Sequence, residues 1–296
     1  MVSPFALFGI AVVATWALVR KPLPALGRLG HRATRRAAAI ALRGGPFRRW
    51  VEASQPLYGR YKPYASVALF ALAGLGAALL AGVAFLHIAE ALQGQSALLD
   101  SLDRGLARRA RGARDDATTR FFLTAAWLGN GWTMAALVAA VAALLLARGR
   151  YRWAAYLVLT SSLGGLLNGA LKHHYRRARP DVSEAVYLAH GYSFPSGHAM
   201  GSVVVFGALA YLALRHFRNP ELRALAVALA LCLAGAVSAS RVYLGVHWLS
   251  DIGAGAVAGA LWVVTTTSSY EGVRRLYALR RSLAAAARAE NSPAEA

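Results

Sequence analysis

From Ala65 onwards the chain alternates long apolar runs with short polar stretches. Six runs approach or exceed the roughly 18 apolar residues that suggest a membrane span. They are approximately Ala65–Ile88, Phe121–Ala147, Trp153–Leu171, Gly197–Leu214, Leu222–Ala239 and Trp248–Thr267. Each is apolar all round, whereas a core helix of a soluble domain is normally amphipathic. The pattern therefore predicts an all-α, multi-pass transmembrane bundle with six core spans. A further apolar run, Pro4–Val19, precedes Arg20-Lys21 and is either a short span or a helix lying in the interface. It has no basic stretch ahead of it and no convincing cleavage site after it, unlike a signal peptide.

Two departures from the pattern matter. Gly129-Asn130-Gly131 falls inside the second run, so the first turns of that run are expected to be broken or interfacial. Between the first two runs, Asp100 to Arg120 carries mixed charge with Leu99, Leu102 and Leu106 at near-helical spacing, which predicts an amphipathic helix resting on the membrane. The organisation expected is an apolar segment and basic juxtamembrane region over 1–64, a six-helix core over 65–269 and a basic cytoplasmic tail over 270–296, frayed beyond Tyr270.

Composition agrees with a membrane protein: 57% of the 296 residues are hydrophobic. The net charge of +20 could point to nucleic acid, but the cations lie mostly in the N-terminal stretch, the short loops and the tail. That distribution fits cytoplasmic loops facing anionic lipid, and no nucleic-acid partner is expected. Cys232, the single cysteine, excludes an intrachain disulfide and a thiolate metal cluster. The connections rich in arginine are Arg20–Lys62, Arg148–Arg152, Arg215–Arg223 and Arg274–Arg281, and the charge rule places them in the cytoplasm. Arg104, Arg108, Arg109, Arg111 and Arg114 run against that assignment, since they would lie on the opposite side.

Three polar islands sit at the ends of the later runs: Lys172 with Arg179-Pro180; Pro195-Ser196-Gly197-His198; and Ser240-Arg241 with His247 and Asp251. Lys172 ends the third run, Ser196-Gly197 opens the fourth, Arg241 ends the fifth and His247 opens the sixth. In an alternating bundle all four ends lie on one face of the membrane, so the islands can meet.

Their chemistry suits an anion. Arg179 and Arg241 can grip phosphate oxygens bidentately and Lys172 adds a point charge. Ser196 and Gly197 stand where a turn enters a helix, and free N–H groups there favour an anion. A lone arginine at such a place more often snorkels to the interface, the reading given to Arg176 and Arg177. His247 and Asp251 are four apart, on one face of the expected helix. Such a pair can be a structural hydrogen bond, half of a metal site or a catalytic pair. The islands lack the further carboxylates or histidines that a metal would require, so no metal or other cofactor is expected. In the catalytic reading Asp251 holds the Nδ1 proton of His247, Nε2 attacks phosphorus, and His198 protonates the leaving oxygen and then activates water.

Together the three islands resemble the pattern of the type-2 phosphatidic acid phosphatase family, the integral-membrane lipid phosphate phosphatases. The resemblance covers about Ala65 to Ser269. It implies metal-independent hydrolysis of a phosphomonoester or diphosphate through a phosphohistidine. It also implies Lys172, Arg179, Ser196, Gly197, His198 and Arg241 as phosphate-site residues. Vanadium haloperoxidases are similar in these motifs but are soluble. The expected substrates are lipid-linked: phosphatidic acid, phosphatidylglycerophosphate or undecaprenyl pyrophosphate. The Ala- and Arg-rich composition points to a bacterial inner membrane, with the site facing the periplasm. Two rivals are an anion transporter or channel, whose charges would lie within the spans rather than at their ends, and a basic membrane scaffold without catalysis.

Overall fold

The computed structural model describes residues 3–20, 68, 71–72, 74–94, 96–180 and 185–290. The expected basic region beyond Arg20 and the start of the first long run lie outside them. The described residues form α-helices joined by short turns and loops, with no strand among them. In order these are α1 (Pro4–Arg20), α2 (Gly74–Gln93), α3 (Ala97–Gly112), α4 (Asp116–Leu128), α5 (Gly131–Ala147), α6 (Tyr151–Tyr175), α7 (Gly197–His216), α8 (Pro220–Tyr243) and α9 (Leu249–Glu290).

Five helices, α2 and α6 to α9, are long and apolar enough to cross a membrane, and α4 with α5 makes a sixth crossing if the bent pair is one span. Their outer faces show why water cannot be their solvent. Leu80, Leu166, Trp127 and Trp132 are 76%, 70%, 64% and 86% exposed. Apolar surface on that scale belongs against lipid. This is a multi-pass membrane protein. The second run is broken as its glycines predict: α4 and α5 meet at 54° around Gly129-Asn130. Asn130 caps α5 by accepting from the Trp132 N–H at 3.1 Å. The 17 residues of α1 reach about 25 Å at the α-helical rise, short of a hydrocarbon core of about 30 Å. The helix packs along α8, and Trp16 Nε1 donates to the Glu221 carbonyl at 3.3 Å.

Caps set the boundaries that bear on the site. Asp115 opens α4 by accepting from the Thr118 N–H at 2.9 Å. Ser196 opens α7 through its bond from the Ala199 N–H, and Pro220 sits in the first turn of α8 behind the Asn219 cap. The centre of the bundle is a cluster of Phe85, Ala89, Phe194, Met200, Val204, Ala254 and Ala258. Two glycines let α9 touch α7 there. A Cβ on Gly255 would come within 2.7 Å of the Ser196 carbonyl, and one on Gly259 within 2.9 Å of the Met200 carbonyl. This small-xxx-small spacing, familiar from membrane helix pairs, brings the two backbones close.

The chain divides into two compact units, one of residues 1–23 and 78–264, the other of 24–77 and 265–296. The first contains every motif residue. In the second, α9 runs on to Glu290, so the expected fraying beyond Tyr270 does not occur. Glu271, 5% exposed, accepts from Arg274 Nη2 at 2.7 Å and holds that part of the helix.

Candidate active site

The first island leaves α6 at its C-terminal turn. Lys172 Nζ donates to the Tyr192 carbonyl at 2.6 Å. One turn earlier, Asn168 donates to the Met200 sulfur at 3.4 Å and lies against Gly197, where any Cβ would come within 2.9 Å of its Oδ1. Gly197 is therefore required by a close approach. Arg176, at a φ of 47°, ends the helix in the left-handed region and turns the chain. Arg179 is then clamped by carbonyls: Nε donates to Gly191, Nη1 to Val246 and Nη2 to His190, all at 2.8–2.9 Å.

The second island is tied directly to the third. The Ser196 N–H donates to the Asp251 carbonyl at 3.0 Å. Ser196 is fully buried, so its hydroxyl serves the α7 cap and its amide is already engaged. Gly197 and His198 form the half-buried edge of that turn, on the wall of a cavity.

In the third island, Arg241 is 2% exposed and its Nη1 donates to the Tyr187 hydroxyl. Its Nε is buried without a hydrogen-bond partner. An orphaned buried donor costs about 1–3 kcal/mol, more when charged, and a bound anion would relieve it. His247 does not begin the last helix as the spacing predicts. It sits in the loop before α9, with Asp251 in the first helical turn. Asp251 Oδ2 reaches back to the Trp248 N–H at 3.0 Å, half of a capping box that stops the helix short of His247. The same oxygen lies 3.3 Å from His247 Nδ1, while Arg179 Nη1 lies 3.2 Å from Nε2. A guanidinium can only donate, so Nε2 is the acceptor and Nδ1 carries the proton toward Asp251. Burial pushes the His247 pKa down to about 4. The Asp251 bond and charge oppose that shift, while the Arg179 and Arg241 charges add to it. Burial and then the Arg241 charge also lower the Arg179 pKa.

Lys172, Arg179, Gly197, His198, Arg241 and His247 line one cavity of about 390 Å³, with Tyr187 and Asn130 on its wall. Asp251 and Ser196 lie behind that wall. Among the described residues no group of three or more His, Cys, Asp or Glu side chains is placed to hold a metal ion.

Three contributors escaped the sequence reading. Arg177 is no snorkelling cation: its Nη1 meets Asp251 Oδ1 at 2.6 Å and its Nη2 meets Asp103 Oδ2 at 2.9 Å. Asp103 is the buried position of α3, 3% exposed, where the leucine spacing predicted an apolar stripe. It also accepts from the Ser250 N–H at 2.9 Å and the Ser250 hydroxyl at 2.5 Å. No local pattern marks Asp103, but the arginine two residues before Arg179 was a visible signal. Tyr187, the partner of Arg241, lay unremarked in the loop between the first two islands.

A membrane bundle whose helix ends gather three cations and two histidines into one pocket defines the class, and residues 153–275 match the PAP2 superfamily. The chain is 35% identical over 112 residues to phosphatidylglycerophosphatase B of Bacillus subtilis, covering 37% of this chain and 54% of that protein. It is 36% identical over 121 residues to lipid A 1-phosphatase of Rhizobium johnstonii, covering 38% of this chain and 46% of that protein. It thus spans about half the length of the curated relatives it matches. A crystal structure of a transmembrane PAP2 type phosphatidylglycerolphosphate phosphatase from Bacillus subtilis superposes with a TM-score of 0.61 at 26% identity. That match covers 66% of this chain and 96% of the other.

Proposed function

We propose that the protein is a lipid phosphatase that removes a terminal phosphate from a lipid phosphomonoester or an isoprenyl diphosphate. The convergence of both histidines and all three motif cations on one cavity carries this reading. Similarity to two lipid phosphatases supports the lipid as substrate.

The chemistry follows from the atoms in place. The phosphate oxygens bind to Lys172, Arg179, Arg241 and the free amide edge at Gly197, with Ser196 acting through the α7 cap. His247 Nε2 attacks phosphorus as the bond to the lipid oxygen breaks, and His198 gives that oxygen its proton. Asp251 holds Nδ1–H and so keeps the lone pair on Nε2. Water then attacks the phosphohistidine, passing a proton to His198. Phosphate leaves and His247 is restored. The cations supply the electrostatic stabilisation of the transferring phosphoryl group.

The pocket opens on the membrane face opposite the arginine-rich connections at Arg148–Arg152 and Arg215–Arg223. The charge rule supports reading that face as periplasmic, and the Ala- and Arg-rich composition supports a bacterial inner membrane.

The test is phosphate release by purified protein in EDTA from phosphatidic acid, phosphatidylglycerophosphate and undecaprenyl pyrophosphate. At least one lipid should be turned over by the wild type and none by His247→Ala. No release from any of the three, or turnover that requires added metal, would overturn the reading.

A further inference from the structure

The helix α3 carries Arg104, Arg108 and Arg111 at i, i+4 and i+7, hence on one face. With Pro180, His247 and Trp248 that face lines a second cavity of about 260 Å³. At about 30 Å³ per water that is room for roughly eight waters, more than a phosphate group needs. His247 belongs to the walls of both cavities.

The arginine face is held in place. Asp103 anchors α3 to Ser250 and Arg177, and Leu106 and Ala110 pack against Ala199, Val242 and Ile252. From Arg104 to Arg111 there is no acidic residue. Arg104 pairs with Asp100 at 2.9 Å, but both side chains are more than half exposed and such a pair holds its arginine weakly. These are three of the five arginines that oppose the charge rule. A binding role on the side of the pocket accounts for them. Arg114 is already explained, because its Nε and Nη2 donate to the Tyr243 carbonyl at the end of α8.

We propose that the arginine face of α3 is a second anion subsite, which takes a further phosphate or phosphodiester in the head group of the same substrate. The proposal rests on the phosphatase reading and narrows it: head groups with two phosphates are favoured over those with one. The shared chemistry, a lipid-borne phosphate, could also come from neighbouring bilayer lipids, and the assay separates the two sources.

Phosphatidylglycerophosphate, with a phosphodiester and a terminal phosphate, is compared with phosphatidic acid, which has one phosphate, in neutral detergent micelles. In the double variant Arg104→Gln/Arg108→Gln the ratio of kcat/KM for the first lipid to the second should fall at least about tenfold, through KM. Arg108→Lys, which keeps the charge, should retain most of the ratio. An unchanged ratio in micelles overturns the subsite. So does a ratio that shifts only in vesicles of anionic lipid, which would make the arginines a surface anchor. Wild-type protein that hydrolysed neither lipid would overturn the subsite, and the phosphatase reading would fall with it only if undecaprenyl pyrophosphate were not hydrolysed either.

Discussion

Arg177 Nη1 lies 2.6 Å from Asp251 Oδ1, so the carboxylate beside His247 is gripped from its other oxygen by a guanidinium that also holds Asp103. The bond fixes the plane of the carboxylate, and that plane aims the acceptor at Nδ1. Arg177→Met should lower kcat by about 10–10⁴-fold with little change in KM, the upper end being the loss expected when a triad carboxylate no longer fixes its tautomer. Arg177→Lys should recover part of it. Nitrogen NMR of His247 should show mixed tautomers in the methionine variant. A KM effect alone, with the tautomer unchanged, would make Arg177 a phosphate ligand instead.

The two histidines should separate on leaving-group basicity. His247→Ala should be inactive on a lipid phosphate and on an aryl phosphate with an acidic phenol. His198→Ala should be severely impaired on the lipid yet keep a burst of phenol, because an acidic phenol departs without a proton. Labelled phosphate should then accumulate on His247. Label on His198, or a burst from His247→Ala, would invert the roles.

Burial holds the His247 pKa at about 4, below the ordinary value of 6.5. The folded state therefore takes up this proton later than the unfolded state does. Its contribution to stability is complete above about 6.5 and is lost as the pH falls toward 4. Nε2 should keep the signature of a neutral imidazole in NMR spectra at pH 5.5. In Asp251→Asn, which removes the interaction opposing the shift, the midpoint should move lower still. A wild-type midpoint at or above 6.5 would contradict the buried site.

Sidedness can be read with thiols. After Cys232→Ala removes the background, Leu188→Cys, at a position 68% exposed near the pocket, should react with a membrane-impermeant reagent in intact spheroplasts. Tyr151→Cys, at a position 67% exposed where α6 begins, should react only after lysis. The reverse pattern would put the pocket in the cytoplasm.

The sequence made visible those features whose cause is local. Apolar runs mark the helices because lipid demands them, and Gly129-Asn130 marks the bend because a cap and two glycines end and restart a helix. The islands stood out because charged residues at the ends of such runs need a reason. The failures were non-local. His247 seemed to share a helix with Asp251 because spacing cannot show that Asp251 caps that helix. Asp103 looked like an ordinary charge on an amphipathic stretch, since its partners Arg177 and Ser250 are 74 and 147 residues away. Arg177 was read as interfacial for the same reason. The tail is a different case: Glu271 pairs with Arg274 and Arg275 at i+3 and i+4, a local helical pattern that its basic, Ala-rich composition obscured.

The attachment of Asp103 to Arg177 and Ser250 bears on how the protein could be cut and rejoined. The superfamily match begins at residue 153, whereas α3 ends at Gly112. A chimera built by exchanging 153–275 with a relative would carry both histidines and every motif cation across the junction. It would leave behind the carboxylate that braces Arg177 and, through it, Asp251. Such a hybrid would hold a complete motif in an incomplete frame, so the structural unit that holds the candidate site is larger than the stretch that matches the superfamily.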